Sequence, residues 1–236
     1  GDPPDPMNLL GPASAFAYPT FASYVAAVER AQPAVNVAAL IGHTALRNNH
    51  LDRLDRPATA TEVEGMRTQL REALDHGALG LSTGLAYANA FASTTEEVMG
   101  LAEPLAEAGA IYTTHLRTEF AAILDAMDEA YRIGKHARVP IVISHLKCAG
   151  AANWGRAGEV LESIEGAQRY QPVGCDCYPY TASSSTLDLK QVTDEFDIFI
   201  TWSEAHPGMA GQTLKEIAAA CGTDLMEAAR RLQPAG

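Results

Sequence analysis

Two histidines stand at the ends of two apolar runs, Ala110–His115 and Pro140–His145, and lie 30 residues apart. A step of about 30 residues holds one strand, one helix and two loops, so both imidazoles are expected at the same edge of a parallel sheet. Neutral imidazoles from neighbouring strands can share a divalent cation at about 2.0–2.1 Å. A single histidine at a strand end is more often a core residue, but two in equivalent positions predict a metal site formed by His115 and His145.

A basic residue follows each histidine by two positions, Arg117 after His115 and Lys147 after His145. The two-residue period of a strand places each cation on the same side as its histidine. Arg and Lys bind carboxylates through charge-assisted hydrogen bonds, so the pattern favours a carboxylate-bearing small molecule as substrate. The alternative is that both residues are solvated cations at loop starts.

The next apolar run ends in Asp176, Cys177 and Tyr178, followed by Pro179. A residue before proline is held extended, which fixes the direction of Tyr178 as a hydrogen-bond donor to a substrate oxygen. A buried tyrosine with a structural hydrogen bond is the alternative. Asp176 is expected either to orient a histidine or to cap backbone groups. His43, at the end of the first run, is a candidate further ligand or proton carrier.

Five apolar, β-branched runs alternate with helical patterns, and the last four begin 32, 30 and 33 residues apart. The runs are Val35–Ile41, Ala78–Ser82, Ala110–Thr114, Pro140–Ser144 and Val173–Cys177. This alternation is typical of a (β/α) barrel or a doubly wound sheet. No Gly-rich phosphate-binding loop follows any run, which favours the barrel.

Helices are predicted between and around these runs from capping residues, C-terminal glycines and helical spacing of apolar residues. Between the runs they cover about Thr59–Gly77, Ser93–Gly109, Glu119–Ala137 and Gly155–Arg169. Flanking helices are predicted at Thr20–Arg30, Gly211–Ala220 and Asp224–Leu232, and a short strand is expected within Phe196–Trp202. A closed barrel requires eight strands. The prediction is therefore an α/β fold with an N-terminal loop and helix at residues 1–34 and the incomplete central portion of a TIM barrel, about five units, at residues 35–236.

Composition and charge limit the kinds of binding partner and the cellular location that are expected. The 236 residues carry a formal net charge of -12, and the sequence pI is about 4.9, which argues against nucleic acid. No apolar run approaches the roughly 20 residues of a membrane span, and no signal-peptide pattern opens the sequence, so a cytoplasmic protein without membrane contact is expected. The four cysteines lack the spacing of a secreted scaffold and are expected to be reduced thiols. The sequence does not indicate an oligomeric state.

Six segments, in order and with their gaps, carry a family resemblance. They are Asn36–Arg47, Gly77–Tyr87, Thr114–Arg117, Ser144–Lys147, Asn153–Gly155 and Asp176–Tyr180. Together they resemble the N-acyl-D-amino-acid deacylases (D-aminoacylases) of the amidohydrolase superfamily. The resemblance implies a zinc-dependent hydrolase on a distorted TIM barrel of the metal-dependent amidohydrolase type.

The same resemblance assigns roles to individual residues. His115 and His145 match two zinc ligands of the family, and Lys147, Tyr178 and Tyr87 match positions that contact the substrate. Arg117 matches a position near the pocket. The family pattern also contains a His-x-His pair, a cysteine ligand and an aspartate general base, none of which occurs in matching context in this sequence.

The resemblance implies hydrolysis of N-acyl-D-amino acids to a carboxylate and a free D-amino acid, and no catalytic acid or base is assigned within the chain. These 236 residues alone are expected to have little activity and to bind zinc weakly. Two alternatives remain open: a cyclic amidohydrolase acting on hydantoins or dihydropyrimidines, and a non-catalytic barrel fragment.

Overall fold

The computed structural model describes residues 7–233, which divide into two compact units, the first ending at Tyr178 and the second beginning at Pro179. The predicted N-terminal loop falls partly on residues 1–6, and the predicted barrel region extends to residues 234–236; both stretches lie outside the described residues. The boundary predicted between residues 34 and 35 stays a prediction, and the division after Tyr178 was not predicted.

Five parallel strands form the sheet of the first unit, in chain order β1 to β5. Their bounds are Ile41–Gly42 (β1), Gly80–Gly84 (β2), Ile111–His115 (β3), Ile141–Ile143 (β4) and Val173–Cys175 (β5). Parallel neighbours joined by helical crossovers make up a partial (β/α) barrel, as the sequence predicts. The first strand is shorter than predicted, because Val35 is 73% exposed and Val37 is 49% exposed, so the segment before Ile41 is not a buried strand.

Nine α-helices are found within residues 7–233. Their bounds are Phe21–Ala31 (α1), His43–His50 (α2), Ala60–Asp75 (α3), Ala88–Phe91 (α4), Thr95–Ala102 (α5), Ile123–Ala137 (α6), Ala157–Gln168 (α7), Leu214–Cys221 (α8) and Leu225–Leu232 (α9). The predicted helices are all present, with shifted ends, whereas α2 and α4 were not predicted. The described helices include none that is both long and apolar enough to cross a membrane.

Capping residues set several of the helix starts. The hydroxyl of Thr59 accepts from the backbone N–H of Glu62, and the Glu62 carboxylate accepts from the N–H of Thr59, so a capping box begins α3. At α5 the N-cap is Thr94, whose hydroxyl accepts from the N–H of Glu97, rather than the expected Ser93. The shift by one residue leaves Glu97 at the third position of the helix.

The core of the first unit lies between the strands and their covering helices. It is built from apolar side chains such as Leu81, Tyr112 and Ile143 on the strands and Leu70, Leu101 and Met127 on the helices.

The second unit contains a short antiparallel pair, β6 (Phe199–Ile200) and β7 (Gln212–Thr213), and the helices α8 and α9. The pair includes the short strand expected within Phe196–Trp202. Ile200, Leu214, Ile217 and Leu232 form its own buried core.

Candidate metal centre

The strand ends bring His115 and His145 together at the carboxyl edge of the sheet. His115 is the last residue of β3, and His145 follows β4 by two residues. The N–H of Ser144 donates to the carbonyl of Thr114 at 2.9 Å, so the two backbone segments are still hydrogen-bonded neighbours next to the histidines. The spacing that predicted adjacent imidazoles is thus realised in the structure.

Buried hydroxyls hold the end of β3. Thr114 donates to the carbonyl of His115 at 3.0 Å and accepts from Thr83 of β2 at 2.8 Å. The phenol of Tyr112 lies 2.9 Å from the Thr83 hydroxyl, and burial raises its pKa to about 12. These contacts fix the backbone that carries His115.

His145 has a left-handed backbone, with φ of 42°, which is uncommon for a residue with a Cβ. A carboxylate oxygen of Asp176 accepts from the N–H of His145 at 2.6 Å, and the Asp176 carbonyl accepts from Leu146 at 2.9 Å. The Asp176 carboxylate therefore caps the backbone N–H of His145, which is one of the two roles expected for it.

The two imidazoles face each other directly. Nδ1 of His115 lies 2.9 Å from Nε2 of His145, and the ring centroids are 4.6 Å apart. Burial, together with the neighbouring His145 and Lys147, lowers the pKa of His115 to about 4. At neutral pH His115 is therefore uncharged and keeps a nitrogen lone pair for a ligand.

A carboxylate that the sequence did not single out completes the group. Glu119 has a side chain that is 8% exposed, and its Oε1 lies 3.2 Å from Nδ1 of His145 and 2.7 Å from Nζ of Lys147. The predicted helix began at Glu119, but α6 begins at Ile123, which frees Glu119 to turn towards the strand ends. Its position four residues after His115 is the signal that could have indicated it.

Lys147 lies beside the same ring. Its Nζ is 2.9 Å from the carbonyl oxygen and 3.0 Å from Nδ1 of His145. It also stands 5.6 Å from the ring centroid of Tyr178, whose buried hydroxyl has no hydrogen-bond partner among residues 7–233. We refer to His115, Glu119, His145 and Lys147 as the rim cluster.

Tyr87 covers His115 from the other side. The two rings stack with centroids 5.0 Å apart and planes at 28°. A Cβ on Gly84 would lie 2.7 Å from the Tyr87 ring, so only glycine at this position lets the ring settle as it does. Two residues predicted to contact the substrate therefore border the histidine pair, Tyr87 at His115 and Lys147 at His145, and the third, Tyr178, lies beside Lys147.

Arg117 turns away from this group. Its guanidinium donates twice to the Glu129 carboxylate, both at 2.8 Å, and to the carbonyls of Phe91 and Ser93 at 2.8 and 3.0 Å. These partners occupy the guanidinium, and the prediction that Arg117 binds the substrate stays a prediction. Its contacts fasten α6 to the segment that follows Tyr87.

His43 belongs to a different group. It is fully buried at the start of α2, with Nε2 3.3 Å from Oε1 of Glu97, and Arg47 donates to the same carboxylate oxygen. Arg47 also donates to the carbonyls of Leu54, Arg56 and Asn89. We refer to His43, Arg47 and Glu97 as the core cluster.

Electrostatics in the core cluster favour an uncharged histidine beside a charged glutamate. Burial lowers the pKa of His43 and outweighs its hydrogen bond to Glu97. Burial opposes ionisation of Glu97, but hydrogen bonds from His43, the Ala58 N–H and Arg47 prevail and keep its pKa below the ordinary value. His43 therefore donates from Nε2, and its Nδ1 has no partner within the described part of the chain.

The donor atoms of the rim cluster suit a transition metal. One ligand atom each from His115, Glu119 and His145 lies within 4.8 Å of the others. The two facing imidazole nitrogens are closer than twice the usual zinc–nitrogen distance of about 2.0–2.1 Å, so one cation can contact both. Imidazole and carboxylate are ordinary zinc ligands, and His115 is already in its neutral form. The residues fit a zinc ion.

Comparison with known proteins identifies the class. A model of the amidohydrolase family matches residues 1–224. The chain is 40% identical over 235 residues to D-aminoacylase from Alcaligenes xylosoxydans xylosoxydans, covering 100% of this chain and 49% of that protein. It is 43% identical over 234 residues to N-acyl-D-aspartate deacylase from the same organism, covering 99% and 47%. The chain belongs to the amidohydrolase family.

A solved structure points in the same direction. N-acyl-D-glutamate deacylase from Bordetella bronchiseptica, complexed with zinc and a phosphonate mimic of the tetrahedral intermediate, has a TM-score of 0.91 and 38% identity to this chain. The match covers 100% of this chain and 49% of that one, so the chain spans about half the length of the relatives it matches. These comparisons confirm the resemblance to N-acyl-D-amino-acid deacylases that the motifs predicted.

Proposed function

We propose that the full-length protein containing this chain hydrolyses the amide bond of N-acyl-D-amino acids, and that the rim cluster contributes to its zinc site. The observation that carries the proposal is the pair of facing imidazoles, His115 and His145, 2.9 Å apart at the carboxyl edge of the sheet. Relatives named D-aminoacylase and N-acyl-D-aspartate deacylase support the choice of substrate class.

In this proposal His115 and His145 hold the metal through the two facing nitrogens. Zinc, when bound, polarises a carbonyl and lowers the pKa of a coordinated water towards about 7. The low pKa of His115 keeps its ring available as a ligand well below neutral pH. We assign no general base among residues 7–233.

Lys147 and the two tyrosines supply the substrate-binding side. The Lys147 side chain is 25% exposed and lies next to the proposed metal ligands, which supports Lys147 as the group that receives the substrate carboxylate. The buried hydroxyl of Tyr178 has no hydrogen-bond partner among residues 7–233, the Tyr178 ring lies beside Lys147, and the ring of Tyr87 stacks against His115. For Arg117, the ion pair with Glu129 supports a role in holding the segment after Tyr87 in place rather than in direct contact with substrate.

The proposal is tested by turnover of the full-length, zinc-loaded protein on N-acetyl-D-amino acids, N-acetyl-L-amino acids and cyclic imides, with metal content measured in parallel. We expect zinc in the purified protein and turnover of the linear D-substrates alone. Turnover confined to cyclic imides, or a protein that binds no metal, contradicts the proposal.

Lys147→Ala tests the substrate-binding side. Loss of one charge-assisted hydrogen bond, worth about 1.5–3 kcal/mol, is expected to raise KM by roughly 10- to 100-fold with a smaller change in kcat. Lys135→Ala is the matched control, since Lys135 lies on α6 over the Tyr170 ring and away from the rim cluster. A large fall in kcat at unchanged KM contradicts the role given to Lys147.

A further inference from the structure

We infer that Glu119 is a positioning residue that keeps the proton of His145 on Nδ1, so that Nε2 is free to bind the metal, and that it anchors Lys147 beside the same ring. The inference rests on the proposed function, because it assumes that His145 is a metal ligand. Its basis is the location of the Glu119 carboxylate on the side of His145 that faces away from His115.

Distances place Glu119 at the far nitrogen of His145. Nε2 of His145 faces Nδ1 of His115, whereas Nδ1 of His145 is 3.2 Å from Oε1 of Glu119. A carboxylate has only acceptor oxygens, so Nδ1 must carry the proton in this contact. Ligand histidines commonly donate their other N–H to a carboxylate, which fixes the tautomer and the ring orientation.

A competing arrangement is present in the same group of atoms. Nζ of Lys147 lies 3.0 Å from Nδ1 of His145 and can donate to it only if Nδ1 is unprotonated. His145 would then carry its proton on Nε2 and donate to His115, which blocks both nitrogens as ligands. The carboxylate of Glu119 decides between the two tautomers, because it accepts from Nδ1 and also binds Lys147 at 2.7 Å.

Glu119 is built into the structure firmly enough to act in this way. Its side chain is 8% exposed, and its own carbonyl accepts from the N–H of Ala149 at 2.8 Å, which ties it to the loop after β4. A nearly buried carboxylate requires partners of opposite charge or N–H donors, and His145 and Lys147 supply both. The Lys147 contact favours Glu119 as a support of the site over Glu119 as a ligand.

The experiment measures zinc affinity of the full-length protein by competition with a chromophoric chelator for wild type, Glu119→Gln and Glu119→Ala. Loss of a supporting carboxylate typically weakens metal binding by about 10- to 100-fold, which we expect for Glu119→Ala. Glu119→Gln keeps an oxygen that accepts from Nδ1–H, so it should retain part of the affinity. Glu64→Gln, an equal change of charge at a half-exposed residue of α3, should bind zinc as wild type does.

Ring-nitrogen NMR of the zinc-loaded protein supplies a readout that a purely structural role would not change. In wild type the His145 ring should show a protonated Nδ1, and in Glu119→Ala the Nδ1 signal should shift as its acceptor is lost. A Glu119→Ala variant that binds zinc like wild type overturns the inference and leaves the proposed function intact. Failure of wild type to bind zinc overturns both.

A loss of zinc affinity in Glu119→Gln as large as that in His145→Ala, with an unchanged His145 ring signal, would identify Glu119 as a direct ligand and would also overturn the inference.

Kinetics distinguish the effect of Glu119 on His145 from its effect on Lys147. At saturating zinc, the remaining defect of Glu119→Ala should appear chiefly in KM, because Lys147 has lost its anchor.

Discussion

The rim cluster and the core cluster combine the same groups, a histidine, a glutamate and a cationic side chain, in opposite surroundings. In the core cluster the side chains of His43, Arg47 and Glu97 are 0–2% exposed, and three backbone carbonyls occupy Arg47. In the rim cluster the side chains of His145 and Lys147 are 34% and 25% exposed. A buried group whose charges are paired stabilises the fold, whereas a half-open group remains available for a ligand.

The choice of cation reinforces this contrast. The guanidinium of Arg47 presents several donors in a fixed plane and fills a site bounded by carbonyls. Lys147 carries a compact charge on a flexible stem and can exchange one partner for another. The comparison indicates that removal of a residue from the core cluster costs stability, and that removal from the rim cluster costs binding.

The largest expected effect is on folding. Glu97→Ala leaves the buried Arg47 charge uncompensated and should lower the free energy of unfolding by about 3–5 kcal/mol. Glu119→Ala should cost about 1 kcal/mol, since Lys147 can reach solvent. Urea unfolding of the metal-free protein measures both, and equal losses would break the distinction between the clusters.

For zinc affinity we expect the opposite order, with substitutions in the rim cluster having a larger effect than substitutions in the core cluster. His115→Ala or His145→Ala removes a proposed ligand and should weaken zinc binding by at least about 100-fold, more than loss of a supporting residue does. His43→Ala should leave zinc affinity unchanged, because His43 contacts Glu97 in the core cluster. A loss of zinc binding in His43→Ala would show that this histidine reaches the metal after all.

The last expected effect is a pH dependence of stability. The folded pKa of His43 lies below 6.5, so the unfolded chain binds more protons in this range and stability falls as pH decreases below about 6.5. One such group contributes a slope of at most ~1.4 kcal/mol per pH unit. Glu97, whose folded pKa lies below 4.5, adds its loss only at lower pH.

Two substitutions test which histidines cause this dependence of stability on pH. His43→Asn and His115→Asn should each flatten the acid limb of the stability profile, because burial lowers both histidine pKa values. Urea unfolding at several pH values in metal-free buffer measures the slope. A profile that neither substitution changes would contradict the neutral state given to both histidines.

Sequence reasoning predicted the rim cluster well where the signal was local and periodic. Each histidine ends an apolar run, and the near-constant step between runs places them on neighbouring strands. The alternation along a strand also located Lys147 on the side of His145. The same rule does not predict the partners of Arg117, whose guanidinium binds Glu129 on α6 and two carbonyls.

The core cluster was missed because its contacts join distant parts of the chain. Glu97 lies 54 residues from His43, and the short helix α2 that carries His43 and Arg47 has a weak helical sequence with two asparagines. Burial of Leu46 and Arg47 against the rest of the unit stabilises this helix, and local propensity does not report such contacts. Glu119 was also missed, because the sequence pattern predicted that the helix begins at Glu119, whereas α6 begins at Ile123.

The left-handed backbone of His145 has an evolutionary consequence. A residue with a Cβ pays about 1–2 kcal/mol for this conformation, whereas glycine pays almost none. Selection for thermal stability alone would therefore replace His145 by Gly or Asn, and consensus or stability-guided redesign would tend to do the same. A redesign that removed this backbone cost would also remove the imidazole that faces His115.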